Sequence, residues 1–460
     1  MSAMLAALFI FSLFALALHW VLLRIRRYRR CVPYDARRDY LYDFGQTERH
    51  EVDFDGRLLA VPALSAECSA LILKISLRRA WLGALFDPWI SVGGKSLGCT
   101  HWFERGARGV RYLNLTELIS QEGPCEVTSR HVRILPQTCS LFVFKDRLLP
   151  SDRLAVIAPH PDDAEIAAYG LYRAHRDNSW LVTLTAGDNT LRYRALAESD
   201  RAASELAARL RSTDPLACGA LAGISRERII GLGYFDSTLA EMHRASPAAV
   251  ASRYGAPSFR DSGLSTMPAR GEGPFQGDKE GWGESWPNLV SDLRRVFEAN
   301  LITAIVCPHP VLDSHEDHFY ATLATCEALL QEPRIPAKLL LYTNHHPLSE
   351  SYPFGPPGAA VTLPPQFETL ESAVSLLSHP LEKAMQIEKS FALDCNHALR
   401  DLPGSSSPRL SKWLGRVFLG SANYDHSYYR RAIRQNELFF VVQGKAVELL
   451  YQAMLSRITR

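Results

Sequence analysis

LAVIAPHPDDAEIAAYG, residues 154–170, decides the fold. An apolar run, Leu154 to Ala158, stops at Pro159-His160-Pro161; two adjacent aspartates follow, and then a run with helical spacing. The order is strand, turn, helix. A helix start needs at most one Asp there, as an N-cap. The second Asp and His160 fall where an open α/β sheet binds its ligands, beyond the C-terminal ends of its strands. Pro161 fixes one φ angle and keeps His160 out of the helical region. Asp162 and Asp163 then enter the helix with side chains pointing apart, so that one can ligate a metal while the other faces a water.

Outward from this stretch the same alternation continues. Strand-like runs at 154–158, 180–185, 228–231, 304–307 and 338–342 alternate with helical runs at about 165–176, 193–211, 286–300 and 316–330. Such alternation predicts a parallel sheet with helices on both faces. A catalytic zinc wants three protein ligands and an open position, and a His plus an Asp is one short. CPHPVLDSHEDHFYA, residues 307–321, follows the fourth strand and opens a helix with His315-Glu316-Asp317-His318. The two histidines are three apart and share one helical face. One can complete a metal site and the other can reach a substrate; His309 sits closer to the strand. The long segment 237–285 and the Pro-rich 351–365 read as loops of lid or binding type. Residues 379–460 read as mostly helical.

The first third is different. Residues 31–150 carry short alternating segments separated by turn residues, which predicts a β-rich, antiparallel domain, sandwich-like or barrel-like. GGKS at 93–96 hints at a phosphate loop, but Trp89 stands where that motif needs its first Gly. Ala3 to Leu23 is almost wholly apolar and is followed by RIRRYRR, residues 24–30. The pattern predicts an uncleaved transmembrane helix with the rest of the chain on the cytoplasmic side, the alternative being a cleaved or merely interfacial segment. The expected divisions are therefore 1–30 (anchor), 31–150 (β-rich), 151–378 (α/β) and 379–460 (helical extension). The net charge of +2 argues against nucleic acid as the main partner. Nine scattered cysteines without a C-x-x-C pair suggest neither a disulfide framework nor a thiolate zinc site.

Five segments together resemble the PIG-L/LmbE-like N-deacetylases. PHPDDAE (159–165) is similar to that family's A-H-P-D-D-E motif and HEDH (315–318) to its H-x-D-H motif. VTLTAGDNT (182–190), RAASE (201–205) and LGYFDS (232–237) are similar to its T-x-G-[ED], R-x-x-E and L-G-Y-x-D segments. One position departs: Ala164 stands where the family usually has Glu. The resemblance implies a Rossmann-like α/β fold, with His160, Asp163 and His318 binding Zn2+. It implies Asp162 as general base, a protonated His315 at the oxyanion or leaving amine, and Asp317 orienting His315. Asp188, Arg192, Arg201 and His345 are candidate substrate contacts, with Tyr193, His346 and the Trp282–Trp286 stretch beside them. Arg201 has an alternative as the helical partner of Glu205, and Asp188 as a brace for its own loop.

The function so implied is a membrane-anchored, zinc-dependent de-N-acetylase of an N-acetylated amino sugar, carried on a cell-envelope glycolipid or a lipopolysaccharide-core precursor. The expected location is the inner membrane, single-pass, with the catalytic domain in the cytoplasm. Two other classes stay open. One is a Mg2+-dependent phosphohydrolase built on the carboxylate pair, against which the two histidines speak. The other is a non-catalytic glycan-binding membrane protein.

Overall fold

The computed structural model describes residues 2–62, 67–93, 97–120, 123–189, 192–259, 283–331, 338–368, 375–400 and 427–459. The apolar run 154–158 is fully buried and forms the middle of the second of two sheets. Its strands are β10 (Leu154–Ala158), β11 (Ser179–Thr185), β12 (Ile229–Tyr234), β13 (Ala304–Pro308), β14 (Lys338–Tyr342), β15 (Ser375–Pro380) and β16 (Asn436–Gln443). The order is β12-β11-β10-β13-β14-β16-β15. The first five are parallel; β16 runs antiparallel to β14, and β15 antiparallel to β16. The sheet is therefore mixed rather than wholly parallel. The chain returns through β16, NELFFVVQ, inside the segment read from sequence as helical. That strand is buried on both faces, so it shows no alternation to separate it from a buried helix.

Helices cover both faces of this sheet. On one side Val156, Ala158, Val306 and Leu340 pack with α2 (Asp163–Ala174), α4 (Asp214–Ala222) and α8 (Lys383–Cys395). On the other, Ile157, Val182, Ile305 and Leu341 pack with α6 (Trp286–Ala299), α7 (Glu316–Leu330) and α10 (Val447–Ile458). Among the described residues of this unit there are three further helices, α3 (Asp200–Arg211), α5 (Leu239–Ala245) and α9 (Tyr428–Ala432).

The first sheet has nine antiparallel strands between Glu48 and Phe144, numbered β1 to β9. It is one curled half-barrel, which corrects the sandwich-like reading of this domain. The reason is visible on β3 (Ala70–Arg79), whose residues alternate between two cores. Leu71, Leu73 and Ile75 meet Ile90, Val92, Leu113 and Leu141 inside the curl. Ala70 and Ile72 face outward into the core shared with the second sheet. Curling closes the inner core on itself, and the outer face packs on the α/β unit.

The N-terminal helix α1 covers Ser2–Cys31. Among the described residues, however, no helix is long and apolar enough to cross a membrane, which corrects both the predicted transmembrane anchor and the single-pass inner-membrane location.

Candidate active site

The strand order reverses between β10 and β13, and the crevice at such a switch point is where α/β sheets bind ligands. The turn after β10 is tied down by Thr185, whose N–H and Oγ1 both donate to the Pro159 carbonyl. The Asp163 carboxylate closes the same turn. Its Oδ2 accepts from the His160 N–H at 2.9 Å, lies 3.0 Å from His160 Nδ1 and 3.1 Å from His318 Nε2. Its Oδ1 accepts from Asn344 Nδ2 at 2.9 Å. His160, Asp163 and His318 thus converge from the ends of β10 and β13, and all three are buried. Neither ring nitrogen of His318 is aligned for a hydrogen bond, although carboxylate oxygens of Asp163 and Asp313 stand 3.1 Å away. Atoms at ligand spacing that do not point at one another suit a common ion between them.

Asp162 occupies the N-cap position of α2 but makes no cap with its side chain. Its Oδ1 instead accepts from Arg211 Nη2 at 3.2 Å. Arg211 also donates to the Gly187 carbonyl at 3.0 Å and lies 3.6 Å from Asp236. Gly187 has φ +66°, and a Cβ there would meet the guanidinium at 2.6 Å, so a glycine is required at that point of the loop. Burial raises the Asp162 pKa, with Arg211 opposing. Burial also works against charge on Asp163 and His160, but their partners outweigh it. The two histidines hold Asp163 well below the usual carboxylate range. Asp236, Asp163 and Asp317 hold His160 well above the usual imidazole range. For His318, burial is outweighed by Asp163 and Asp313, which push it up to about 10. Four buried carboxylates, Asp163, Asp236, Asp313 and Asp317, thus surround two imidazoles and favour positive charge at this point.

His315 caps α7, with its ring centroid 4.7 Å from that of His160, 4.9 Å from His318 and 5.5 Å from His345. Its Nδ1 is buried and without a hydrogen bond. Burial and then the positive His160 and His318 lower its pKa, which favours the neutral ring over the protonated one read from sequence. Asp317 stands beside His160 (3.3 Å) and accepts from the N–H groups of Ser237 and Leu239, so its hydrogen bonds run to these groups. Ser237 adopts φ +61°, a conformation uncommon for a residue with a side chain, and thereby turns its N–H to Asp317. Three sets of side chains bring ligand atoms within 4.8 Å of one another: His160, His315 and His318; Asp163, His318 and His345; His160, Asp236 and Asp317.

The other candidates from sequence divide. His345 joins the cluster, its ring 5.2 Å from that of His318, and burial lowers its pKa to about 4. Asp188 is buried as a brace: it accepts from the Asp236 N–H at 2.8 Å and Ser204 Oγ at 3.3 Å, and burial raises its pKa to about 7. Arg201 is exposed and paired with Glu205 along α3. Arg192 is half-buried and Tyr193 buried in the loop after β11. His309 and His346 accept N–H groups of their own turns. Trp286 packs in the core and donates to Glu327. Residues 94–96 of GGKS and Trp282 lie outside the described residues.

Sequence reasoning missed four groups at the site. Asp236 lies within the quoted LGYFDS, and Asp313 two residues before His315; their proximity to strand ends was a usable signal. Asn344, which holds Asp163, and Arg211, at the far end of a helix, carry no local signal.

The fold and site together define an α/β protein with a candidate metal centre at the switch point of its sheet. Residues 155–329 match the family model PIG-L, described as GlcNAc-PI de-N-acetylase, so this segment is a PIG-L-family domain and a de-N-acetylase-type function is supported. No curated protein matches the chain. Among solved structures, the chain is similar to a conserved protein of Thermus thermophilus at 16% identity and TM-score 0.29, covering 63% of this chain and 93% of that one. It is also similar to the 4-carboxy-2-hydroxymuconate hydratase of Pseudomonas putida at 12% identity and TM-score 0.29, covering 63% and 95%.

Proposed function

We propose that this protein is a zinc-dependent amidohydrolase that removes the acetyl group from an N-acetylated amino sugar. The observation that carries the reading is the convergence of His160, Asp163 and His318 beside Asp162, inside a segment that matches a de-N-acetylase family. Two imidazoles and a carboxylate are a donor set suited to zinc, and bound zinc supplies a Lewis acid and a water of lowered pKa. The protein's own groups do the rest. Asp162, held by Arg211, takes the proton of the attacking water; burial raises its basicity. His315, whose buried Nδ1 makes no hydrogen bond, acts as a relay: it starts neutral, receives the proton that Asp162 took from the water and passes it to the leaving nitrogen. Asp313 and Asn344 keep His318 and Asp163 in place from behind. Asp317 and Asp236 fix the other side of His160.

The test is metal content together with acetate release from a small N-acetylated hexosamine derivative. The full chain should carry about one zinc per protein molecule, and H160A/H318A should lose both metal and hydrolysis. Zinc retained at full occupancy in that double variant would remove the assignment.

A further inference from the structure

Two cysteines far apart in the chain meet away from the candidate active site. Cys218 lies in α4 and is buried; Cys395 is the last residue of α8 and is partly exposed. The Cys218 sulfur donates to the Ala392 carbonyl at 3.3 Å and accepts from Asn396 Nδ2 at 3.6 Å, so it sits under the final turn of α8. Those two contacts are to the residue three before Cys395 and to the residue after it, so the Cys218 sulfur lies beside the Cys395 side chain. Cys395 is further shaped for attack: the Cys218 contact and the Arg400 charge outweigh burial and bring its thiol down to about 7. Among the cysteines whose side chains are described, the other partly exposed one, Cys68, goes the opposite way, to about 11, because burial dominates there. One thiol therefore stands out as accessible and acidic, with a second thiol against it.

We propose that Cys218 and Cys395 form a reactive dithiol that hydrogen peroxide converts to a disulfide tying α4 to the end of α8. The Cys395 thiolate attacks one peroxide oxygen and breaks the O–O bond; a water leaves and the sulfur becomes a sulfenic acid. The Cys218 sulfur then attacks Cys395, forms the S–S bond and expels a second water. Two thiols and one peroxide give one disulfide and two waters, the peroxide being reduced and the sulfurs oxidised. The sulfurs must close to about 2.05 Å, which needs a local movement of one of the two side chains. The last turn of α8 supplies it, because the helix ends at Cys395 itself. A thiol reductant reverses the step by exchange.

The full-length protein, treated with hydrogen peroxide and then alkylated and digested, should yield a cross-linked peptide pair containing Cys218 and Cys395. Its intact mass should fall by about 2 Da and recover with a dithiol reductant, while Cys68 stays open to alkylation. C395S, at the partly exposed position, should abolish the cross-link with an unchanged circular dichroism spectrum. C218S should divert Cys395 to sulfinic acid, a gain of about 32 Da. Cys395 reaching sulfinic acid in the wild-type chain without a cross-link overturns the proposal. So does a peroxide-treated chain in which both thiols remain alkylatable.

Discussion

Asp162 and Asp163 are neighbours in sequence and opposites in surroundings. Asp163 touches two imidazoles and an amide; Asp162 touches a guanidinium. Asp162→Asn keeps a group that fits beside Arg211 but removes the base, so metal content should persist while turnover drops by roughly 10²-fold or more. Asp163→Asn removes the charge that His160 and His318 face, so metal affinity should fall first. Zinc titration and acetate release on both variants decide the assignment, and a reversed outcome swaps the two roles. At this scale the sequence was legible where neighbouring residues combine: His160 with Asp163, and His315 with His318, each declared themselves by spacing. Arg211 and Asn344 did not, because each reaches the site alone, from a helix end or a loop, and nothing local marks it. Asp317 was legible as a site residue but not in its contacts, since its partners Ser237 and Leu239 come from a distant turn.

Helix α2 carries the two aspartates at its start, yet it is not a continuous helix. Ala168 lies at φ −142°, and the kink frees backbone groups on either side. The C-terminal segment supplies their partners. The Glu437 carboxylate accepts from the N–H groups of Gly170 and Leu171, both at 2.9 Å; Lys389 Nζ donates to the Ile166 carbonyl at 3.0 Å and to Glu437 at 2.7 Å. A fully buried ion pair thus fills the break and sets the direction of the first turn. Removing one partner of such a pair leaves an uncompensated charge, a loss of about 3–5 kcal/mol. Lys389→Met should therefore lower unfolding free energy by that amount in a denaturant titration, and a loss below about 1 kcal/mol would show that the pair does not hold the helix. Strands β10, β13 and β14 and helix α7 were legible from runs of one character bounded by turns. The kink and strand β16 were not, since both depend on partners far along the chain.

The two sheets behave as one body because a polar seam runs between their cores. Asn114 of the first sheet and Asn436 of the second both donate to the Val361 carbonyl and to Ser378 Oγ, at 2.9–3.1 Å. His101 backs this seam: fully buried, it accepts the Asn114 N–H on Nε2 at 3.0 Å, which requires that nitrogen to be unprotonated. Burial lowers the His101 pKa to about 4. The unfolded chain binds the proton near pH 6.5 and the folded chain only near 4, so its contribution to stability is complete above 6.5 and is lost as pH falls through that window. The difference of about 2.5 pKa units corresponds to roughly 3 kcal/mol. Glu117, raised to about 7 by burial, acts with the opposite sign: its contribution is complete below about 4.5 and is lost as pH rises to 7. The wild-type profile sums such terms, so the His101 term has to be read by difference. His101→Gln, which cannot be protonated, should lose less stability than the wild-type chain between about pH 7 and about pH 4.5. The gap between the two unfolding curves should narrow steadily as the pH is lowered. Parallel curves across that range would mean that His101 does not couple the seam to acid.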